Sequence, residues 1–215
     1  MNTLTKVALG FVGQLKPDRA KGRTSERRML PRPTTTGGLP LQEALARRKS
    51  SRAFSPAPLP DQVLSDLLWA AFGINRPESG ERTAPSALDA QEVDVYVALA
   101  GGVYLYDAKA HALVLVAHVD ARRVTGYQDF VDQAPLDLLY VADHKHMATV
   151  PAAQRDVYSA ASAGAIAQNV YLYCASAGLV TVLRGWLDHA AIAKALGLSE
   201  HEHVLLAQTV GYPPD

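Results

Sequence analysis

The segment "QRDVYSAASAGAIAQNVYLYCASA", residues 154–177, constrains the fold more than any other part of the chain. It is long enough for about six or seven helical turns, and it crowds Ala160, Ala161, Ala163, Gly164, Ala165 and Ala167 into its middle. Small residues let a second backbone approach closely. Such a helix is either the buried spine of one core or a helix packed on a symmetry mate, and the sequence leaves both readings open. The only cysteine, Cys174, lies inside this apolar pattern. One thiol excludes an intramolecular disulfide and fits a reducing compartment, and Cys174 reads as a small buried hydrophobe.

The rest of the chain supplies a sheet for that helix. With 215 residues, 48 % of them hydrophobic and 20 % charged, the chain can build one well-buried domain plus an arm. The net charge is zero, but residues 1–40 carry +6 and the remainder −6. Residues 1–38 read as a basic, extended N-terminal arm that closes on "PRPTTTGG", where Pro and Gly prevent regular structure. Residues 39–215 read as the globular domain. Apolar spacing predicts helices in "LQEALARR", in residues 61–74 with Asp61 as N-cap, and in "HAAIAKALGL". The runs "VDVYVALA", "GVYLYD" and "ALVLVAHV" predict an antiparallel meander. Residues 120–131 read as a short helix, residues 135–143 as a nearly all-apolar central strand, and "HVLLAQTVGYP" as a last strand. The expected class is α+β, a mostly antiparallel sheet flanked by helices.

No Walker loop, G-x-G-x-x-G, G-x-S-x-G or paired-cysteine spacing is present. The pairs His144/His146 and His201/His203 could point two imidazoles the same way on a strand, but no third ligand is evident, so a solvated turn or strand edge is the preferred reading. His189, after Asp188 at a helix start, reads as a surface residue. The apolar run of residues 7–15 is too short for a membrane span. The arm lacks the interleaved aromatics of a nucleic-acid module. A cytoplasmic protein with neither membrane nor nucleic acid as partner is expected. Residues 75–82 and 143–155, polar and rich in turn formers, are candidate lids.

What remains is "ARRKSSRAFS", with Arg47, Arg48, Lys49 and Arg52 around two serines. Arg48, Ser50 and Arg52 could offer two cationic forks and a hydroxyl to a phosphate or an oxyanion. Cations complementing a helix C-terminus would look the same. Three further segments alter the balance: "RTAPSALDAQEVDVYV", "GAIAQNVYLYCASAGL" followed by "TVLRGWLD", and "KALGLSEHEHVLLAQTVGYP". In this order and at these separations the chain resembles the FMN-dependent nitroreductase superfamily, including its thiazoline-dehydrogenase-like branch, from about residue 39 to residue 213.

The resemblance implies an FMN-binding domain over residues 39–215 and an intertwined homodimer. Arg48 and Ser50 would contact the FMN phosphate, Lys49 would stand beside them, and Arg52 would lie near the N1/O2 edge of the ring, where its charge favours the reduced flavin. Pro85, Ser86, Ala87 and Asp89 would reach the ring and ribityl chain from the partner subunit. Gln168 would bond the pyrimidine or ribityl region, and Val182, Leu183, Arg184 and Gly185 would lie against the ring, offering backbone N–H groups near N5. The implied activity passes hydride from NAD(P)H through FMN to a small aromatic, nitro or quinone acceptor, with no protein nucleophile and no metal. Two features depart from the family pattern. Asp89 stands where Asn is common, and the chain stops at "GYPPD" without the usual basic residues, leaving Arg184, Lys49 or Arg47 to complete the phosphate site. A flavin- or nucleotide-binding protein with little turnover is the alternative.

Overall fold

The computed structural model describes residues 26–214, so most of the basic arm lies outside the described residues. The elements in chain order are β1 (Arg27–Met29), α1 (Leu41–Arg47), α2 (Asp61–Phe72), β2 (Ile74–Arg76), β3 (Glu81–Arg82), β4 (Val93–Leu99), β5 (Gly102–Asp107), β6 (Ala112–Ala117), β7 (Leu136–Asp143), α3 (Ala152–Ala177), β8 (Val180–Arg184), α4 (His189–Leu196) and β9 (Glu202–Gly211).

Seven strands form one sheet in the order β1-β6-β5-β4-β7-β9-β8, antiparallel at every junction, while β2 and β3 make a separate hairpin. The architecture is the expected α+β arrangement. Strand alternation sorts the core into two layers. Val93, Val95, Val97, Leu138 and Tyr140 face α2 and α3, where Leu67, Leu68, Ile166 and Val170 meet them. Tyr96, Ala98, Leu139, Val141 and Ala207 face the other way, under Ile192, Ala195 and Leu196 of α4. Every residue of β7 from Leu136 to Ala142 is buried, as a strand covered on both faces requires. β7 starts one residue later than its pattern suggested because Pro135 has no N–H for the ladder.

The α3 helix answers both readings of its small residues. Its inner face, with Ala163, Ile166, Ala167, Val170, Tyr171 and Cys174, is the buried spine. Its outer face is unpartnered: Ala160, Ala161 and Gln168 are exposed, Val157 is 67 % exposed, and a Cβ built on Gly164 would meet nothing within 4 Å. The helix ends at Gly178, whose φ of 71° is the left-handed C-cap conformation that glycine adopts without strain.

Four local expectations are corrected. Arg27–Met29, placed by sequence in the arm, pairs with β6 at the sheet edge, and Leu30 enters the core; a three-residue edge strand is too short to show a period. Residues 120–131 do not form an α-helix: only Arg122–Val124 make a 3-10 turn. There Asp120 accepts the Arg122 N–H at 3.1 Å and the Thr125 hydroxyl donates to the Arg122 carbonyl at 2.8 Å, local bonds that compete with a helix. Asp61 is not the N-cap. Pro60 holds that position, and the Asp61 carboxylate is bound by Arg28. The candidate lid at residues 75–82 contains the β2–β3 hairpin, braced by Arg76 Nε donating to Glu81 at 2.7 Å.

The two faces of α3 should respond differently to truncation. Ile166→Ala should lower the unfolding free energy by about 2–5 kcal/mol in a urea titration, whereas Val157→Ala should change it by no more than about 0.5 kcal/mol.

Candidate functional site

The cationic segment follows α1, whose last turn is closed by the Arg48 N–H donating to the Ala44 carbonyl at 2.9 Å. Arg47 is paired with Glu43 across one turn. Arg48, Lys49 and Arg52 are exposed and make no ion pair with any described residue. Beyond Arg48 the chain runs along the outer edge of β8. Ser50 forms a parallel bridge with Thr181, and the Ser51 N–H donates to the Thr181 carbonyl at 3.0 Å. Tyr171, on the inner face of α3, clamps this junction: its hydroxyl shares a 2.8 Å hydrogen bond with Ser50 Oγ and accepts the Leu183 N–H at 2.9 Å. The Arg48 guanidinium lies 5.3 Å from the centre of the Tyr171 ring, within cation–π range.

Leu183 therefore presents its N–H to the outer edge of β8, but Tyr171 already holds it. Amides alternate along a strand, so the Gly185 N–H is the next to face outward. Val182 is buried and Gly185 exposed. A Cβ on Gly185 would meet only Leu206, at an ordinary 3.5 Å.

Arg184 departs from its expected role. Its side chain is 4 % exposed and turns into the core, where Nη2 donates to Asp137 Oδ1 at 2.7 Å and to Thr125 Oγ1 at 3.1 Å. Nη1 donates to the Thr125 carbonyl at 2.6 Å, and Nε to Thr209 Oγ1 at 3.1 Å. Asp137, on β7, is fully buried and also accepts the hydroxyls of Thr125 at 3.0 Å and Thr209 at 2.5 Å. Burial pushes the Asp137 carboxyl up against the pull of Arg184 and the two threonines, and pulls Arg184 down against the pull of Asp137. A guanidinium spent in this way cannot complete a phosphate site.

The segment from Pro85 to Asp89 stands apart from the cations. Leu88, Asp89 and Gln91 have φ of 56°, 52° and 47°, left-handed values that side chains other than glycine rarely adopt. Inside the turn, Ser86 Oγ accepts the Gln91 N–H at 3.0 Å and Asp89 accepts from the Gln91 amide at 3.1 Å. Pro85 and Asp89 are exposed, and Ala87 is partly so. This turn borders a cleft of about 570 Å³ lined also by Phe72, Arg82, Asp94 and Tyr106. Arg52 and Lys49 border two further clefts, different from each other. Gln168 is exposed one turn before Tyr171.

The histidine pairs meet across strand ends: the His144 and His203 rings stack at 4.4 Å, and burial first, then His203, lower the His144 pKa. No group of three potential metal ligands occurs among the described residues. His189 is exposed, with Nδ1 2.9 Å from the Val204 carbonyl, while Asp188 caps α4 through the Ala191 N–H at 2.9 Å. The second candidate lid, residues 143–155, is a 3-10 turn, His144–Met147, leading into α3. Burial raises the Cys174 thiol pKa well above its ordinary value, as expected for an inert packing residue. No described helix is long and apolar enough to cross a membrane.

Sequence reasoning missed Tyr171 and Asp137. Tyr171 sat among apolar residues at helical spacing, and Asp137 was a carboxylate set within an apolar strand whose other one, Asp143, stands at its end, a signal strong enough to have asked for a buried cation. Asp137→Ala would strand Arg184 in the core and should cost about 3–5 kcal/mol by thermal or urea unfolding. The double change Asp137→Leu with Arg184→Met should recover much of that loss, because an apolar pair removes the unpaired charge.

Comparison with known proteins gives these features a context. The chain matches the nitroreductase family over residues 45–212. It is 30 % identical over 176 residues to a candidate nitroreductase of Methanocaldococcus jannaschii, covering 77 % of this chain and 88 % of that one. The crystal structure of a candidate nitroreductase from Ralstonia eutropha JMP134 superposes with a TM-score of 0.87 at 50 % identity, covering 94 % of this chain and 96 % of the other. A Desulfovibrio desulfuricans candidate nitroreductase crystallised in complex with FMN shares the fold at a TM-score of 0.59 and 22 % identity, over 83 % of this chain and 89 % of its own. The family match spans most of the chain and the Ralstonia structure superposes over nearly all of it, and the chain belongs to the nitroreductase family.

Proposed function

We propose that this oxidoreductase fold binds FMN along the outer edge of β8, takes hydride from NAD(P)H and delivers it to a small aromatic, nitro or quinone acceptor. The observation that carries the reading is the row of cations without an ion pair among the described residues, Arg48, Lys49 and Arg52, on a segment pinned to β8 by Tyr171. Exposed cations need no carboxylate partner, but a backbone fixed at both Ser50 and Ser51 gives them a common geometry, which a solvated helix end would not require. The FMN complex of the Desulfovibrio relative supports the choice of ligand.

The residues present fit the cofactor with two amendments. Arg48, Ser50 and Lys49 hold the phosphate without help from Arg184, which is buried, or from Arg47, which is paired with Glu43. The outward amide available to N5 is that of Gly185, since Tyr171 takes the one on Leu183. FMN, when bound, would supply the centre that accepts hydride and returns it to the second substrate in a ping-pong cycle. Arg52 places positive charge where negative charge develops on reduction. Leu183, partly buried, forms the apolar part of the wall, whereas Val182 is 2 % exposed and its side chain is not available to the ring.

The turn with Pro85, Ser86, Ala87 and Asp89 is contributed by a partner subunit. That assignment rests on membership of the family and on the outer face of α3, bare among the described residues, which suits a close homodimer through Ala160, Ala161 and Gly164. Gln168, on the same outer face, reaches the cofactor only in that pairing. A cytoplasmic setting agrees with the reduced, buried Cys174. A second reading, flavin or nucleotide binding with little turnover, is favoured by the exposed Asp89 carboxylate, which accepts from N3–H but opposes a reduced, anionic ring.

FMN added to the protein should bind with the yellow spectrum bleached by anaerobic NAD(P)H, and Arg48→Ala should weaken FMN binding by about one to two powers of ten in a fluorescence titration. Equal affinity in the two proteins would remove the phosphate assignment. Ala161→Arg should convert the homodimer to monomer on size exclusion and lower FMN affinity with it; a wild-type protein that is already monomeric would contradict the shared site.

A further inference from the structure

The Tyr171 hydroxyl has one proton and two neighbours. It accepts the Leu183 N–H at 2.9 Å and lies 2.8 Å from Ser50 Oγ. Tyr171 is 8 % exposed, and no other group among the described residues accepts its proton. A buried hydroxyl left without an acceptor is costly, so the Tyr171 proton points to Ser50 Oγ. Ser50 is exposed, and no described residue accepts its own proton, which is left for whatever lies outside the edge of β8.

The three groups make a directed chain, from the Leu183 N–H through the Tyr171 hydroxyl to the Ser50 hydroxyl, and each bond polarises the next. Both ends are held. Leu183 pairs with Gln208 of β9. Ser50 is bridged to Thr181, whose hydroxyl donates to the Thr209 carbonyl at 2.7 Å. The Arg48 guanidinium lies over the Tyr171 ring, 5.3 Å from its centre. One side chain thus sets both the place of a cation and the direction of the hydroxyl two residues further on.

We propose that Tyr171 is a positioning residue that commits the Ser50 hydroxyl to donate, so that this edge selects a ligand end bearing an anionic acceptor over one ending in a hydroxyl. The inference rests on the FMN reading above and adds to it a residue that acts on the phosphate only through Ser50. A doubly ionised phosphate offers only acceptor oxygens to a committed donor, and a hydrogen bond to an anion is roughly twice as strong as one between neutral groups. A ribityl chain ending in a hydroxyl gains only the weaker bond. Without the Tyr171 oxygen the Ser50 hydroxyl rotates freely, and its direction has to be fixed on binding.

The test measures FMN and riboflavin affinity by flavin fluorescence in wild-type, Tyr171→Phe, Ser50→Ala and doubly changed protein. Phenylalanine keeps a ring under Arg48 and removes only the hydroxyl. Tyr171→Phe should weaken FMN binding about tenfold and riboflavin binding much less. In the Ser50→Ala background it should weaken FMN binding no further, because its effect passes through Ser50. Equal losses for both flavins in Tyr171→Phe, or losses that multiply in the double variant, overturn the inference while leaving FMN binding in place. Inorganic phosphate added to flavin-free, isotope-labelled protein and followed at the Ser50 and Arg52 amides separates the two claims. Weaker phosphate binding in Tyr171→Phe supports the chain even if FMN does not bind; equal binding, or none by the wild type, overturns it. Ser50→Thr keeps a hydroxyl and should retain the affinity that Ser50→Ala loses. Equal affinity in all three proteins overturns the inference, and this comparison stands should Tyr171→Phe not fold. Matching thermal unfolding midpoints show that the variants remain folded.

Discussion

The buried pair of Arg184 and Asp137 fixes the positions on which the proposed site depends. Neither side chain has more than 4 % of its surface in water. Charges removed from water persist only when matched and hydrogen-bonded, and here the matching groups come from β7, β8, β9 and the segment after Arg122. One cluster therefore ties β7, β8, β9 and the segment after Arg122 together at the edge where the cofactor is proposed to lie. Its charges cancel locally, so Arg52 is left as the cation on the proposed ring side. In the proposed site, redox tuning and structural anchoring would be separate tasks for different arginines, Arg52 and Arg184.

At the same edge, β8 would otherwise expose a row of unpaired backbone groups. Ser50 and Ser51 cover part of that row, and the Tyr171 hydroxyl takes the Leu183 amide. The cationic segment is thereby ordered before any anion arrives, which reduces the entropy lost on binding. What stays open is the stretch from Gly185 onward, beside the exposed Trp186 and its Tyr127 neighbour at 5.2 Å. The fold thus closes the edge where the phosphate is proposed to lie and leaves it available where the ring is proposed to lie.

Much of this was legible in the sequence, for identifiable reasons. The meander and the central strand declared themselves by alternation and by unbroken apolar content. The α3 helix was legible by length, but its small residues left open whether they made the buried spine or met a symmetry mate, because crowding alone does not say which face is covered. The position of Arg48, Ser50 and Arg52 on an exposed segment followed from charge density. Arg184 was misjudged because the resemblance set its segment against the ring and the lack of basic residues after the last strand called for another cation, and only the distant Asp137 reveals that it is held in the core; the link spans 47 residues. Tyr171 was invisible for a related reason: its hydroxyl joins two segments far apart in sequence. The helix expected over residues 120–131 failed because Asp120 and Thr125 satisfy the backbone locally.

The central claim is spatial: cofactor phosphate at Arg48 to Arg52, ring at Gly185, and a second chain's Ala87 to Asp89 over the ring. Backbone amide shifts of isotope-labelled protein during FMN addition test it most directly. The account predicts the largest changes at Ser50, Arg52 and Gly185, accompanied by changes at Ala87 and Asp89, with the Leu183 amide moving less because Tyr171 holds it. Shifts confined to the cleft around Arg82 and Asp94, with Gly185 and Ser50 unmoved, would contradict it.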